Sequence, residues 1–259
     1  MREVDQALAR AYAQQRSTPE HAVVPPAPHV SSRNPDQVPA PSPGVYDLAP
    51  VSLDWPAMVL TLEREYGDRF VKLAGSLLEA RDRHRLKVLL FTSCHRAEGR
   101  TTLILTLARA LARSPGRTLV VDADLTGPML ARLLGLRPTV GLDDVVERGH
   151  ALADAVIDSP DDHLSVLPLR AAVSYPRAFL GSPLWSCTMA RLRRDYDLVL
   201  IDGSPMFTGL SAAVMHRSVD AAVLVHNPTL TGQRALLRAR EVLDAGGIPL
   251  MGLAETFVA

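Results

Sequence analysis

The chain has 259 residues, enough for one sizeable domain with appendages. Apolar residues make up 47% of it and charged residues 22%, which allows a globular core. Its 28 basic and 28 acidic side chains cancel, so no global field draws in nucleic acid or anionic lipid, and no nucleic-acid partner is expected.

The opening stretch MREVDQALARAYAQQR lacks the apolar core of a secretion signal. No window approaches the roughly 18 uninterrupted apolar residues that a membrane helix needs. Two cysteines, Cys94 and Cys187, give no disulfide framework and point to a reducing compartment. The expectation is a cytoplasmic protein, recruited to the inner face of the membrane, if at all, by a partner.

Val4, Leu8, Ala11 and Tyr12 sit at helical spacing, so residues 2 to 15 read as a short amphipathic helix, marginal by itself in water. Residues 17 to 50 hold nine of the 20 prolines. Proline at that density removes amide donors and favours extended segments without a core. Residues 1–50 thus read as a disordered Pro-rich tail. Residues 51–86 read as a helical lead-in, with a helix over 56–85 whose apolar stripe is Leu60, Tyr66, Phe70, Leu73, Leu77 and Leu78. Gly67 weakens it in the middle.

From residue 87 the pattern changes to short apolar runs alternating with helical segments. Strands are expected at 87–93, 117–124, 163–169, 197–203, 221–227 and 249–255, several apolar throughout, as suits strands buried on both faces. Helices are expected at 101–113, 128–134, 151–157, 183–194, 208–216 and 231–245. This alternation predicts an α/β fold with a doubly wound, mostly parallel sheet and ligands at the carboxyl ends of the strands.

Three signals fall at such strand ends. The first is SCHRAEGRTT, from Ser93 to Thr102. A loop turning straight into a helix aims free amides and the positive end of the helix dipole at one spot, which suits a triphosphate. Gly99 lets the backbone approach a phosphate, and Thr101 is placed to offer its hydroxyl to Mg²⁺. The phosphate-loop pattern asks for Gly-x4-Gly-Lys-Ser/Thr, but Cys94 stands at its first glycine and Arg100 at its lysine. The second signal is Asp122 and Asp124 in VVDADLTGP; the third is Asp202 in DYDLVLIDGSP. A carboxylate after an apolar run is costly beside a sheet unless a cation satisfies it. Each aspartate alone reads equally well as a cap or turn residue; their conjunction and order favour a metal-nucleotide site.

With these motifs the chain resembles bacterial tyrosine autokinases of capsule and exopolysaccharide biosynthesis, relatives of the partition and septum-site ATPases. Their loop has the form Ser-x-x-Pro-Gly-Glu-Gly-Lys-Ser/Thr-Thr, followed by an Asp-x-Asp strand and a strand ending Asp-Thr-Pro-Pro. LLGLRPTVGLDDVVERG and LSVLPLRAAVSYPRAFLGSP extend the likeness, which covers about residues 87 to 255. The resemblance implies a nucleotide-binding domain of P-loop type over 87–259, with ATP and Mg²⁺ as its ligands. It implies that Ala97, Glu98, Gly99, Arg100, Thr101 and Thr102 hold the nucleotide, Arg100 touching the β- and γ-phosphates. Thr101 and Asp202 would hold Mg²⁺, and Asp122 or Asp124 would assist an attacking tyrosine hydroxyl.

The implied partner is a membrane chain-length regulator, a polysaccharide co-polymerase, and a homo-oligomer is compatible with the family. Departures are Arg100 for lysine, Thr126 for the arginine of Asp-x-Asp-x-Arg, and the missing second proline after Asp202. The last tyrosine is Tyr196 and the sequence ends GLAETFVA, so autophosphorylation on a tyrosine-rich tail is not expected. Two other readings stand beside the kinase: a catalytically impaired nucleotide-dependent switch, and a positioning ATPase of the partition type. His95 reads as a phosphate neighbour, and Cys94 as an inert small residue rather than a reactive thiol of depressed pKa.

Overall fold

The apolar runs assemble into a mostly parallel sheet in a computed structural model that describes residues 51–208 and 218–257. Helix α1 (Ala57–His84) leads into β1 (Val88–Ser93), α2 (Arg100–Leu111) and β2 (Thr118–Ala123). Four short elements follow: α3 (Leu130–Leu133), α4 (Leu142–Arg148), α5 (Leu152–Ala155) and β3 (Ile157–Ser159). Then come β4 (Leu164–Leu167), α6 (Pro176–Leu180), α7 (Pro183–Asp195) and β5 (Leu198–Gly203). The last elements are β6 (Ala221–His226), α8 (Gln233–Ala245) and β7 (Leu250–Glu255).

The strand order is β3-β4-β2-β5-β1-β6-β7, and every neighbouring pair is parallel except β3 with β4. Every residue of β1, β2, β5 and β6 is buried, which explains why these strands read as unbroken apolar runs. Successive side chains still alternate between faces. Leu89 and Phe91 join Ile104, Leu107 and Leu111 of α2 with Val59 and Leu77 of α1 in one core. Val88 and Leu90 join Trp185 and Leu192 of α7 with Leu243 of α8 in the other. Each fully buried leucine or phenylalanine contributes about 1.5–3 kcal/mol, so the two cores, more than any polar contact, hold the strand tips in register. Among the described residues no helix is long and apolar enough to cross a membrane.

Several local expectations change. Residues 151–157 do not form one helix: α5 ends at Ala155, Val156 is extended, and Ile157–Ser159 pairs antiparallel with β4. Ladder pairing to Leu164 and Val166 overrides the helical spacing of that segment. Two helices were not anticipated, α4 and α6, because each is too short to show a period. The expected stripe of α1 is also only part of the buried face. Leu77 is buried and Phe70 and Leu78 partly so, but Val59 and Ala74 are covered while Leu60, Tyr66 and Leu73 turn outward. The helix breaks at Tyr66 (φ −127°, ψ 17°), one residue before Gly67. The expected helices at 2–15 and 208–216, and the Pro-rich segment, lie outside the described residues, apart from Thr208, which ends a 3-10 turn.

Candidate functional site

β1 sits between β5 and β6, and β5 separates it from β2, so the carboxyl ends of β1, β5 and β2 lie side by side. Asp122 and Asp202 are direct neighbours across the β2–β5 pairing. The loop from Cys94 to Gly99 leaves β1 there and enters α2. Two of its residues adopt left-handed backbone, Ala97 (φ 61°) and Gly99 (φ 80°). Only glycine does so freely, and a Cβ on Gly99 would also come within 3.3 Å of Thr256 Cγ2.

Glu98 fixes the loop from below. Its buried carboxylate accepts from His95 N (2.7 Å), Asn227 N (3.3 Å) and the Thr231 hydroxyl, while Thr256 Oγ1 donates to its carbonyl (2.9 Å). The Glu98 side chain therefore holds the loop together, and its carboxylate is occupied by these partners. His95, Arg96 and Ala97 form the exposed tip. α2 has no side-chain cap at its N-terminus, and Leu103 N to Gly99 O (2.9 Å) is a first intrahelical bond. The amides at the start of α2, including those of Thr101 and half-buried Thr102, are left for an anion.

Arg100 folds inward and is 7% exposed. Its Nη1 donates to Ser93 Oγ (2.5 Å) and His95 O (3.4 Å), and its Nη2 to Asp124 Oδ2 (3.1 Å). Its Nε lies 3.6 Å from Asp202 Oδ1. Thr101 Oγ1 donates to the other oxygen of Asp202 at 2.6 Å. Arg100, Thr101, Asp124 and Asp202 are thus brought together, as the sequence suggests. Burial pushes the Asp202 carboxyl up to about 6, against the opposing pull of Arg100 and Thr101.

Asp122 is placed differently. Its oxygens accept from Asp124 N (3.1 Å), Met129 N (3.1 Å) and Leu130 N (2.9 Å), so it holds the turn into α3. Burial, reinforced by the Asp202 charge, pushes its carboxyl up to about 7. Of the two aspartates considered for assisting a hydroxyl, Asp124 is the one that meets Arg100. Cys94 is fully buried, and burial with the Glu98 charge pushes its thiol up to about 11, the opposite of an activated nucleophile.

Sequence reasoning passed over Arg96. Its guanidinium turns back from the loop tip to Asp124 Oδ2 (3.2 Å) and Thr126 Oγ1 (2.8 Å). An arginine inside an anion-binding loop is itself a signal, but only the fold shows that it reaches the Asp-x-Asp turn.

The residues fit a metal-bearing phosphate group. Arg100 Nε and Asp202 Oδ1 are buried polar atoms without hydrogen bonds, both within the cradle. Among the described residues no cluster of three or more His, Cys, Asp or Glu could hold a metal alone. Oxygens of Thr101 and Asp202 would therefore need phosphate oxygens and water to complete a Mg²⁺ shell, which is how that ion is usually held.

No family model matches the chain. It is 26% identical over 170 residues to the tyrosine-protein kinase CpsD of Streptococcus pneumoniae, covering 65% of this chain and 75% of that one. It is 28% identical to the VpsO kinase domain, with a TM-score of 0.66 over 76% of this chain and 97% of that one. Its homologues are bacterial tyrosine-protein kinases. The septum-site protein MinD of Pyrococcus horikoshii, solved with Mg-ADP, follows at 26% identity. That match has a TM-score of 0.54 over 64% of this chain and 68% of that one. The fold is that of P-loop kinase domains and MinD-like ATPases, and these neighbours imply nucleotide binding.

Proposed function

We propose that the chain is a cytoplasmic ATP-dependent protein-tyrosine kinase that regulates capsule or exopolysaccharide synthesis and export. Residues 51–86 serve as its lead-in and 87–259 as its nucleotide-binding domain. The observation that carries this reading is the convergence of Arg100, Thr101, Asp124 and Asp202 on an uncapped helix start. Kinship with CpsD and VpsO supports tyrosine as the acceptor.

In this reading the amides from Ala97 to Thr102 wrap the β-phosphate and Arg100 neutralises the β- and γ-phosphates. Thr101 and Asp202 hold Mg²⁺, which would supply charge neutralisation at the phosphates. Asp124 receives the proton of the tyrosine hydroxyl as its oxygen bonds to the γ-phosphorus and the bond to ADP breaks. Such transfers need positioning and charge far more than covalent help. The acceptor tyrosine is supplied by a protein substrate, and a membrane chain-length regulator is the partner that recruits the chain to the inner face of the membrane.

Arg100 also favours a second reading. A planar guanidinium already paired with Asp124 is bulkier than an ammonium, and a poorly aimed donor costs on the order of 10²–10³ in rate. A switch that binds ATP without transferring phosphate would result. Incubation with γ-labelled ATP, Mg²⁺ and a tyrosine peptide separates the two. Phosphotyrosine that disappears in Asp124→Asn supports the kinase; saturable binding without transfer supports the switch.

A further inference from the structure

We propose that Arg96 reads the terminal phosphate, closing with Arg100 as a two-guanidinium clamp that uses Asp124 as its resting counter-ion. The inference rests on the nucleotide site proposed above. Arg96 stands at the tip of the anion-binding loop and Arg100 at the start of α2, yet both reach the same oxygen, Asp124 Oδ2, at 3.2 and 3.1 Å. The two ties differ in strength. The Arg100 side chain is 7% exposed, whereas that of Arg96 is 49% exposed. Arg96 is the half-exposed member of its pair, so water can replace its tie to Asp124 more readily than that of buried Arg100. A terminal phosphate offers three charged oxygens where Asp124 offers one already shared, and it captures the guanidinium in competition with that carboxylate.

The turn after β2 is shaped for this side chain. Arg96 Nη2 donates to Thr126 Oγ1, whose hydroxyl in turn donates to Asp124 Oδ1 (3.2 Å). A Cβ on Gly127 would come 2.6 Å from Arg96 Nη1 and 2.9 Å from its Nη2, so glycine leaves the guanidinium room to lie against the turn. Two departures from the resembled motifs, one in the loop and one in the Asp-x-Asp turn, also become one exchange. Arginine stands at 96 in place of proline, and threonine at 126 in place of arginine. The charge missing from the Asp-x-Asp turn returns from the loop and bonds the residue that replaced it.

The consequence is discrimination between triphosphate and diphosphate. Calorimetric titration of wild type, Arg96→Ala and Arg96→Lys with ATP and with ADP tests it, since a half-exposed side chain can be truncated without unfolding the loop. Losing a charge-assisted contact is expected to weaken ATP about tenfold or more in Arg96→Ala, with ADP nearly unchanged, and lysine restoring part of the loss. The ATP affinity of Arg96→Ala should also depend less steeply on salt than that of wild type. An unaltered ATP-to-ADP ratio in Arg96→Ala overturns the clamp while leaving the nucleotide site standing. Failure of the folded wild type to bind either nucleotide overturns the site itself, and the clamp with it.

Discussion

Arg100 Nε and Asp202 Oδ1 face each other 3.6 Å apart, both buried and neither hydrogen-bonded. Unmet hydrogen-bonding capacity of this kind is costly in a folded interior. Here it lies at the floor of the loop proposed to receive an anion, next to a threonine hydroxyl already bound to the same aspartate. The guanidinium spans Asp124 and Asp202, supplying the positive charge that those carboxylates require.

Arg100→Ala is expected to abolish nucleotide binding. It leaves buried Asp202 without its cation and Asp124 with only the half-exposed Arg96, which should also lower stability by about 3 kcal/mol in urea denaturation. Arg100→Lys keeps the charge in a slimmer form and is expected to preserve or raise turnover. Unchanged nucleotide affinity in the alanine variant would remove Arg100 from the site.

The pH dependence follows from Asp202 and Asp122, raised from 3.8 to about 6 and about 7. The folded state holds protons in that window that the unfolded chain releases, so these groups cost stability progressively as pH rises through it. Asp202→Asn cannot ionise. Its stability relative to wild type, from urea midpoints, should therefore increase as pH rises from 3.8 to about 7 and stay constant above. Nucleotide affinity in Mg²⁺ should show the complementary trend: wild type gains on Asp202→Asn over the same range, because a metal ligand must be ionised.

Glu98 is expected to act through the loop. Glu98→Ala leaves the amides of His95 and Asn227 and the Thr231 hydroxyl without their acceptor. A loss of about 1–3 kcal/mol in stability should accompany weakened ATP binding. Urea denaturation and calorimetry on the same variant check the pair. Full affinity at reduced stability would show that the loop keeps its shape without this anchor.

The cysteines should separate cleanly under alkylation. Cys187 is exposed and Cys94 is buried with its thiol raised to about 11. Iodoacetamide followed by peptide mass mapping is expected to label Cys187 in the native protein and Cys94 only after unfolding. Rapid native labelling of Cys94 would contradict the buried loop.

Much of this was legible in the sequence because the central strands are buried on both faces and announce themselves as apolar runs. The loop, Asp124 and Asp202 stood out for a related reason: each follows such a run, and although any one of them could be a cap or turn residue, their conjunction and order suggest a site. β3, α4 and α6 were not, since three to seven residues carry too little periodicity to separate helix from strand. The different fates of Asp122 and Asp124 were equally hidden. Two residues apart in one motif, they are distinguished only by the turn that brings Met129 N and Leu130 N to Asp122. Arg96 escaped because its partners, Asp124 and Thr126, are about thirty positions away in the chain.

The most direct measurement is calorimetric titration of the folded wild-type protein with ATP in the presence of Mg²⁺. The account predicts saturable binding to one site, weakened when Mg²⁺ is withdrawn and lost in Arg100→Ala. A correctly folded sample that gives no binding heat with ATP, or equal heat from wild type and Arg100→Ala, would contradict it.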